Sequence, residues 1–237
     1  MRTSNVIEAM AEQQAPEHFA DWNEQMLQRY DPEMFQHHPR SIVRWVEKRR
    51  VRAVIRRLEA RAGHRILDAG CGTGHVLARL PGTERHGVDL SPRMVQRAQN
   101  TLGSAAKIVQ GDAEKLPYED GSFDRVIASS LFSHVLNPEQ VVAELRRVTK
   151  AGGRIVISVC DEDQIERGMK WVKTLSLAGL LFGTNQGGQP RVYNVEYHLH
   201  RFSLQRLREV VGGSLTELRV ERVPFVFPVH VVAAYER

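Results

Sequence analysis

Ile66-Leu67-Asp68-Ala69-Gly70-Cys71-Gly72-Thr73-Gly74 joins a short apolar run to three alternating glycines, and this stretch decides the fold. The run from Arg65 to Ala69 predicts a buried strand, and the glycines let the chain turn sharply and approach a ligand closely. A helix is predicted from His75 to Leu80, and its first backbone N–H groups lack partners inside the helix. The stretch therefore predicts a strand, a ligand-binding turn and a helix in succession.

The rest of the chain continues this alternation of strands and helices. Strands are predicted at His86 to Asp89, Lys107 to Gln110, Asp124 to Ala128 and Arg154 to Val159, with helices starting at Ser91-Pro92, spanning Pro138 to Thr149 and lying near Ser203 to Val211. Two final strands, Thr216 to Val223 and Val229 to Tyr235, are joined too tightly for a helical crossover, so they must form an antiparallel hairpin. The pattern predicts an α/β protein with a mainly parallel sheet and helices on both faces.

Four regions are predicted along the chain. Residues 1–62 form an N-terminal helical cap, with helices near Pro16 to Tyr30 and Ser41 to Ala62. Residues 63–160 form the core, residues 161–200 a glycine-containing, loop-rich insertion or lid over the substrate cleft, and residues 201–237 a helix and hairpin that complete the sheet. The 237 residues are enough to bury a sizeable core without disulfides or a structural metal.

Composition narrows the class of protein. A net charge of +5 is weak support for a nucleic-acid partner. Two isolated cysteines indicate a reducing cytoplasm rather than a zinc ribbon or a redox pair. The N-terminus lacks the apolar segment of a signal peptide, and the longest apolar-leaning stretch, Leu175 to Phe182, is too short to span a bilayer. We therefore expect a soluble, cytoplasmic protein.

The spacing of the glycine turn separates two classes of cofactor. A dinucleotide-binding turn has the pattern G-x-G-x-x-G/A, and counting from Gly70 the third small residue is replaced by His75. Asp68 would repel a pyrophosphate, whereas it can hold an ammonium group. S-adenosylmethionine (SAM) carries an ammonium and a sulfonium and has no phosphate. The charge pattern therefore favours SAM over NAD.

Five segments, in order, resemble the motifs of class I SAM-dependent methyltransferases, most closely the quinone and small-molecule branch. They are Ile66 to Gly74, Gly87 to Met94, Gly111 to Pro117, Phe123 to Ile127 and Val148 to Arg154. The resemblance implies a Rossmann-like sheet of seven strands with a terminal antiparallel hairpin, roofed by the N-terminal helices and the insertion. It also implies SAM as methyl donor and S-adenosylhomocysteine (SAH) as product.

The resemblance assigns cofactor contacts residue by residue. The turn should contact the methionyl part, Asp89 the ribose hydroxyls, Asp112 and Ala113 the adenine, and Ser129 the sulfonium end. The complete set of expected cofactor-binding residues is Tyr30, Asp68, Gly70, Cys71, Gly72, Gly74, Asp89, Leu90, Met94, Asp112, Ala113 and Ser129. Cys71 is expected to be a small buried residue and not a nucleophile, because the methyl passes directly from the sulfonium to the acceptor.

A general base is needed only if the acceptor must lose a proton, and three histidines are the candidates. His134 follows the fourth predicted strand and has an ordinary pKa suited to proton transfer. The alternative is that it packs near the cofactor. His198 and His200 alternate on what would be a short strand, where they could line the substrate pocket, bind a metal or simply be exposed. Tyr30 is the fourth choice, and we expect no metal site.

The arginine-rich helix near Ser41 to Ala62 leaves three interpretations open. A solvated outer face is the first. A peripheral contact with an anionic membrane is the second, because Trp45, Arg49 and Arg52 suit lipid headgroups. Nucleic acid is the third and the least favoured, since the aromatic residues are not interleaved with the arginines.

The sequence thus predicts a SAM-dependent methyltransferase acting on a small, apolar or lipid-like acceptor. The alternatives are a non-catalytic SAM-binding regulatory module and an NAD-dependent oxidoreductase on the related fold. The acceptor, the choice of O-, N- or C-methylation and the oligomeric state are not specified by the sequence.

Overall fold

A computed structural model describes residues 19–29, 37, 41–174, 198–224 and 229–237. The helices are α1 (Phe19–Arg29), α2 (Ser41–Leu58), α3 (Pro92–Leu102), α4 (Pro138–Val148), α5 (Glu162–Thr174) and α6 (Leu204–Val211). The strands are β1 (Arg65–Ala69), β2 (Glu84–Asp89), β3 (Lys107–Gln110), β4 (Phe123–Ser129), β5 (Thr149–Cys160), β6 (Thr216–Val223) and β7 (His230–Glu236). Among the described residues, no helix is both long enough and apolar enough to cross a membrane.

The strands form one seven-stranded sheet in the order β3-β2-β1-β4-β5-β7-β6. Strands β1 to β5 are parallel, and β7 pairs antiparallel with both β5 and β6. The predicted Rossmann-like sheet with a terminal hairpin is therefore confirmed. Successive strands run outward in opposite directions from the β1–β4 pair, and this reversal places a crevice at the carboxyl ends of these strands.

Helices cover both faces of the sheet. One apolar cluster joins α2 and α3 to one face, with Val54, Leu58 and Ala98 buried in it. The other cluster joins α4 and α6 to the opposite face through residues such as Leu145 and Leu207. In packing terms α2 is a layer of the core and not only a cap, because its apolar stripe lies against the sheet.

One local prediction was wrong, and one helix was not predicted. The glycine turn is followed only by a short 3-10 turn, Leu77–Arg79, and not by a helix from His75 to Leu80. Pro81 explains this, because the residue before a proline is disfavoured in helical conformation, and Leu80 has φ −119° and ψ 57°. The segment expected to be loop-rich begins with helix α5, whose first turn carries Glu162 and Asp163, the charges preferred at a helix N-terminus.

Candidate active site

The glycine turn after β1 is held to the next strand by its own backbone. Gly70 and Cys71 both donate their N–H groups to the carbonyl of Val88, at 2.8 and 2.9 Å. Gly72 donates to Oδ2 of Asp89 at 2.8 Å, and Ser91 donates its backbone N–H to Oδ1 of the same carboxylate at 3.0 Å. Asp89 thus connects the turn to the start of α3, and its place at the end of β2 is the predicted one.

The three glycines of the turn are needed for different reasons. A Cβ on Gly70 would lie 2.7 Å from Cδ1 of Leu131, and one on Gly74 would lie 2.7 Å from Cδ1 of Leu102. Neither neighbour leaves room for a side chain. Gly72 has φ +52° and nothing within 4 Å of the position of a Cβ, so its Cα faces open space. The turn therefore forms a cradle in which a ligand can contact the backbone closely.

Replacing Gly72 by alanine should separate backbone strain from cofactor binding. The positive φ costs an alanine about 1 kcal/mol, so thermal unfolding should be only modestly affected. The added methyl would occupy the cradle, and we expect SAH affinity, measured by calorimetry, to fall at least about tenfold.

Gly63→Ala is the matched control, because Gly63 also has a positive φ, +81°, with nothing within 4 Å of its Cβ position. It lies before β1, away from the turn, and should lose similar stability while keeping SAH affinity. Equal SAH affinities in the two variants would show that Gly72 does not face the cofactor.

Asp68 lies under the turn and is 1% exposed. Its Oδ1 atom has no hydrogen-bond partner within the described part of the chain. A buried carboxylate oxygen without a partner is costly, and burial raises the pKa of this carboxyl, with the charge of Arg50 opposing the rise. An ammonium group would supply the missing donor, so the residues present fit the amino-acid end of SAM.

The remaining cofactor candidates lie around the same crevice. Asp112 follows β3, and its Oδ1 accepts from the backbone of Glu114 at 2.8 Å. Ala113 is buried in the core cluster beneath β1 and β2. Leu90 is half-buried and Met94 fully buried on α3, where the hydroxyl of Ser91 caps the helix by accepting from Met94 N at 3.2 Å.

Two further candidates are Cys71, in the turn, and Tyr30, near the N-terminus. Cys71 is buried, and burial raises the pKa of its thiol, which keeps it neutral and supports the expected packing role. Tyr30 lies outside the described residues. Helix α1 reaches the crevice through Glu24, which accepts a hydrogen bond from the hydroxyl of Ser91.

Ser129, at the end of β4, has partners that the sequence analysis missed. Its hydroxyl lies 3.0 Å from that of Ser158 and accepts from the guanidinium of Arg50 on α2. A sequence signal for Arg50 was present, because it precedes Val54 by four residues and therefore continues the apolar stripe of the helix. Its burial depends on partners at residues 129 and 158, which no spacing reveals.

The structure brings two of the three candidate histidines together and separates the third. The rings of His134 and His198 meet edge to face with centroids 5.0 Å apart. Nδ1 of His198 lies 3.0 Å from Oε1 of Glu162, whose side chain is only 7% exposed. Glu162 is a residue that sequence analysis missed, since it lies 36 positions from its partner.

His200 does not share a strand face with His198, as the short-strand interpretation required. Residues 198–200 are not part of a strand, and Nε2 of His200 lies 3.2 Å from the carbonyl oxygen of Leu136. Backbone bonds fix this segment, since Leu199 N donates to Ser133 O at 2.8 Å and Glu162 N to Phe202 O at 3.0 Å. Within the described ranges, no group of three or more metal-ligating side chains is placed to hold an ion.

Comparison with known proteins agrees with this arrangement of strands and glycine turn. Residues 67–157, which run from β1 to β5, match the family described as a methyltransferase domain. Residues 67–157 are a methyltransferase domain of this family. The prediction of a class I methyltransferase core is thus confirmed, and the glycine turn, Asp89 and Asp112 all lie inside the domain.

One curated relative of the methyltransferase domain is a demethylmenaquinone methyltransferase from Clavibacter sepedonicus. It is 41% identical over 100 residues, which cover 40% of this chain and 41% of the relative. The chain spans 33% to 53% of the length of five curated relatives, this one included.

Two solved structures share the fold. A SAM-dependent methyltransferase from Thermotoga maritima, described as a possible histamine N-methyltransferase, has a TM-score of 0.64 at 19% identity, covering 92% of this chain and 99% of its own. The [4+2]-cyclase SpnF has a TM-score of 0.59 at 18% identity, covering 79% and 80%. At such identities the likeness concerns the fold alone, and the fold of the methyltransferase domain also serves a cyclase.

Proposed function

We propose that the protein transfers a methyl group from SAM to a small-molecule acceptor by direct displacement. The observation that carries the proposal is the Asp89 carboxylate, which joins the glycine turn to α3 beside the open cradle at Gly72. A carboxylate retains acceptor sites after two hydrogen bonds, so Asp89 can also receive two ribose hydroxyls. SAM, when bound, supplies an electrophilic methyl and its own leaving group.

The other cofactor contacts in the proposal follow the crevice. Asp68 accepts from the ammonium, and the turn around Gly72 contacts the methionyl chain. Asp112 and Ala113 bind the adenine, with Leu90 and Met94 beside it and Ser129 near the sulfonium end. Tyr30 remains a proposed cofactor contact from the N-terminal region.

We assign the acceptor side to His198 and His134, with Glu162 holding His198. Glu162 faces Nδ1 of His198 at 3.0 Å, which favours a proton on Nδ1 and leaves Nε2 as the acceptor. When the acceptor is a hydroxyl, its oxygen forms the bond to the methyl carbon as the carbon–sulfur bond breaks, and its proton passes to the histidine. His200 is set apart at the carbonyl of Leu136, so we place it outside the proton transfer.

Calorimetry provides the first test of the proposal. SAH should bind at micromolar concentrations and NADH should not. The opposite result would favour an oxidoreductase and exclude SAM as the cofactor.

Methyl transfer is then tested with labelled SAM and a panel of phenols, amines, quinones and lipids. Label in an acceptor supports an enzyme. SAH binding with no acceptor in the panel would favour the second candidate, a SAM-binding protein without methyl transfer. The solved structure of a [4+2]-cyclase, SpnF, shares this fold.

The acceptor in this proposal is apolar or lipid-like, and the protein is cytoplasmic with a peripheral membrane contact. Support comes from the demethylmenaquinone methyltransferase relative and from the surface of α2. Ile42 and Trp45 are each 41% exposed there, and the Arg49 guanidinium lies 4.9 Å from the Trp45 ring centroid.

Sedimentation with anionic vesicles tests the membrane contact of α2, and Trp45→Ala should reduce the bound fraction. Equal sedimentation of both proteins would leave α2 as a solvated face.

A further inference from the structure

On the face of the sheet that α2 covers, a row of three polar side chains lies near the carboxyl ends of β1, β4 and β5. Two residues earlier, each strand places an apolar residue in the core cluster beneath α2, namely Ile66, Ile127 and Val156. Because side chains alternate along a strand, the residues two positions further on share that face. They are Asp68 on β1, Ser129 on β4 and Ser158 on β5.

Helix α2 places a buried ion pair over this row. Arg50 is 5% exposed, and its Nε and Nη2 donate to Glu47 at 2.9 and 2.6 Å. Its Nη1 donates to Oγ of Ser158 at 3.2 Å and to Oγ of Ser129. An arginine engaged on both edges has little rotamer freedom, so its charge is fixed at the ends of β4 and β5.

This charge acts on Asp68, whose Oδ1 atom has no hydrogen-bond partner among the described residues. Burial raises the pKa of Asp68, the Arg50 charge opposes the rise, and the Asp89 carboxylate adds to it. Two further titratable groups face Arg50. His230 on β7 has its pKa lowered to about 3 by burial and by Arg50, so it is neutral at physiological pH.

The other group is His75 from the glycine turn, whose Nε2 lies 3.4 Å from Oε1 of Glu47. Burial disfavours the charged form of Glu47, but the Arg50 charge and the hydrogen bonds from His75 and Arg50 together outweigh it and lower the pKa of Glu47, so the pair remains ionised. Arg50 is therefore a permanent positive charge next to the one carboxylate in the row.

We propose that Arg50 is a positioning residue for the amino-acid end of the cofactor: from α2 it fixes Ser129 and places a positive charge at the strand ends beside Asp68, the residue that receives the ammonium group. The proposal rests on the SAM binding proposed above. If the Arg50–Glu47 ion pair were purely structural, it would connect α2 to the sheet, and its loss would weaken the binding of all ligands alike. The proposed role makes Arg50 matter only for ligands that carry the amino-acid end.

Two ligands distinguish these roles by calorimetry. SAH carries the amino-acid end, and 5′-methylthioadenosine has the same adenosine and thioether without it. We expect Arg50→Gln to weaken SAH at pH 7 by about tenfold or more, the effect of losing one charge-assisted contact, and to change 5′-methylthioadenosine less than about twofold. Arg52→Gln is the matched control, since Arg52 is exposed on the same helix.

The pH dependence provides a second readout. Burial raises the pKa of Asp68 and the Arg50 charge opposes the rise, so removing that charge should raise the pKa further. The pH at which SAH affinity of Arg50→Gln reaches half of its maximum should therefore lie above that of the wild type. Arg50→Lys, which keeps the charge, should restore the wild-type profile.

Different outcomes would contradict the role of Arg50 and the proposed binding of SAM. Equal weakening of both ligands by Arg50→Gln would assign Arg50 a packing role and overturn the inference. Failure of the wild type to bind either ligand would overturn the proposed function itself. Should Arg50→Gln not fold, Asp68→Asn gives the decisive comparison: it must lose the preference for SAH over 5′-methylthioadenosine, and a retained preference contradicts the inference.

Discussion

Asp89→Ala is expected to raise the Kd for SAH at least about 100-fold, because it removes the acceptor for two ribose hydroxyls, each worth about 1.5 kcal/mol or more. The same change leaves the N–H of Gly72 without its 2.8 Å partner and that of Ser91 without its 3.0 Å partner. The turn would then lose the tie that aligns it with α3. Calorimetry with SAH measures the loss, and circular dichroism verifies the fold.

Asp89→Asn separates the two roles of this carboxylate. The amide keeps one oxygen as an acceptor but offers N–H groups where a second acceptor is needed, so its SAH affinity should lie between those of the wild type and the alanine variant. Asp120→Asn is the control, since Asp120 is an exposed partner of Arg147 at 2.9 Å. Unchanged SAH affinity in Asp89→Ala would show that the crevice does not bind the ribose there.

The central strands were predictable because they are buried on both faces. Strands β1 and β3 have the bounds expected from the sequence, since turn residues follow compact apolar runs. Strand β5 starts at Thr149 rather than Arg154, because its first residues pair with Phe123 before a register shift. The glycines at 152 and 153 therefore lie inside the strand instead of before it.

The cofactor half of the site was predictable and the acceptor half was not, for one physical reason. Asp68, Asp89 and Asp112 each occupy a strand end, and strand ends meet in a parallel sheet. The Glu162–His198 pair and the burial of Arg50 depend on contacts between distant segments. A buried charge is stabilised by its three-dimensional partners, which local patterns do not encode.

The Glu162–His198 pair gives the second large effect that we expect. His198→Gln should slow methyl transfer to an oxygen acceptor by about 100-fold or more, the usual contribution of a general base, with SAH affinity unchanged. Glu162→Gln keeps an oxygen near Nδ1 but removes the charge that stabilises the protonated imidazole. Its rate should therefore fall less, by about tenfold. Single-turnover assays with labelled SAM and an acceptor from the panel measure both losses.

A structural role for the pair would give a different pattern. Glu162 is also 3.6 Å from Arg201, so the carboxylate could serve only to fix residues 198–202 beside α5. In that case both variants should lower the unfolding temperature and slow amine and hydroxyl acceptors alike. A base affects mainly acceptors that must lose a proton before attack, so an amine reacting in its neutral form should be spared.

His64→Gln, at the opposite end of β1, is the control for losing an imidazole. Rates within about threefold of wild type for His198→Gln with a hydroxyl acceptor would exclude His198 as the base and leave His134 to be tested in the same way.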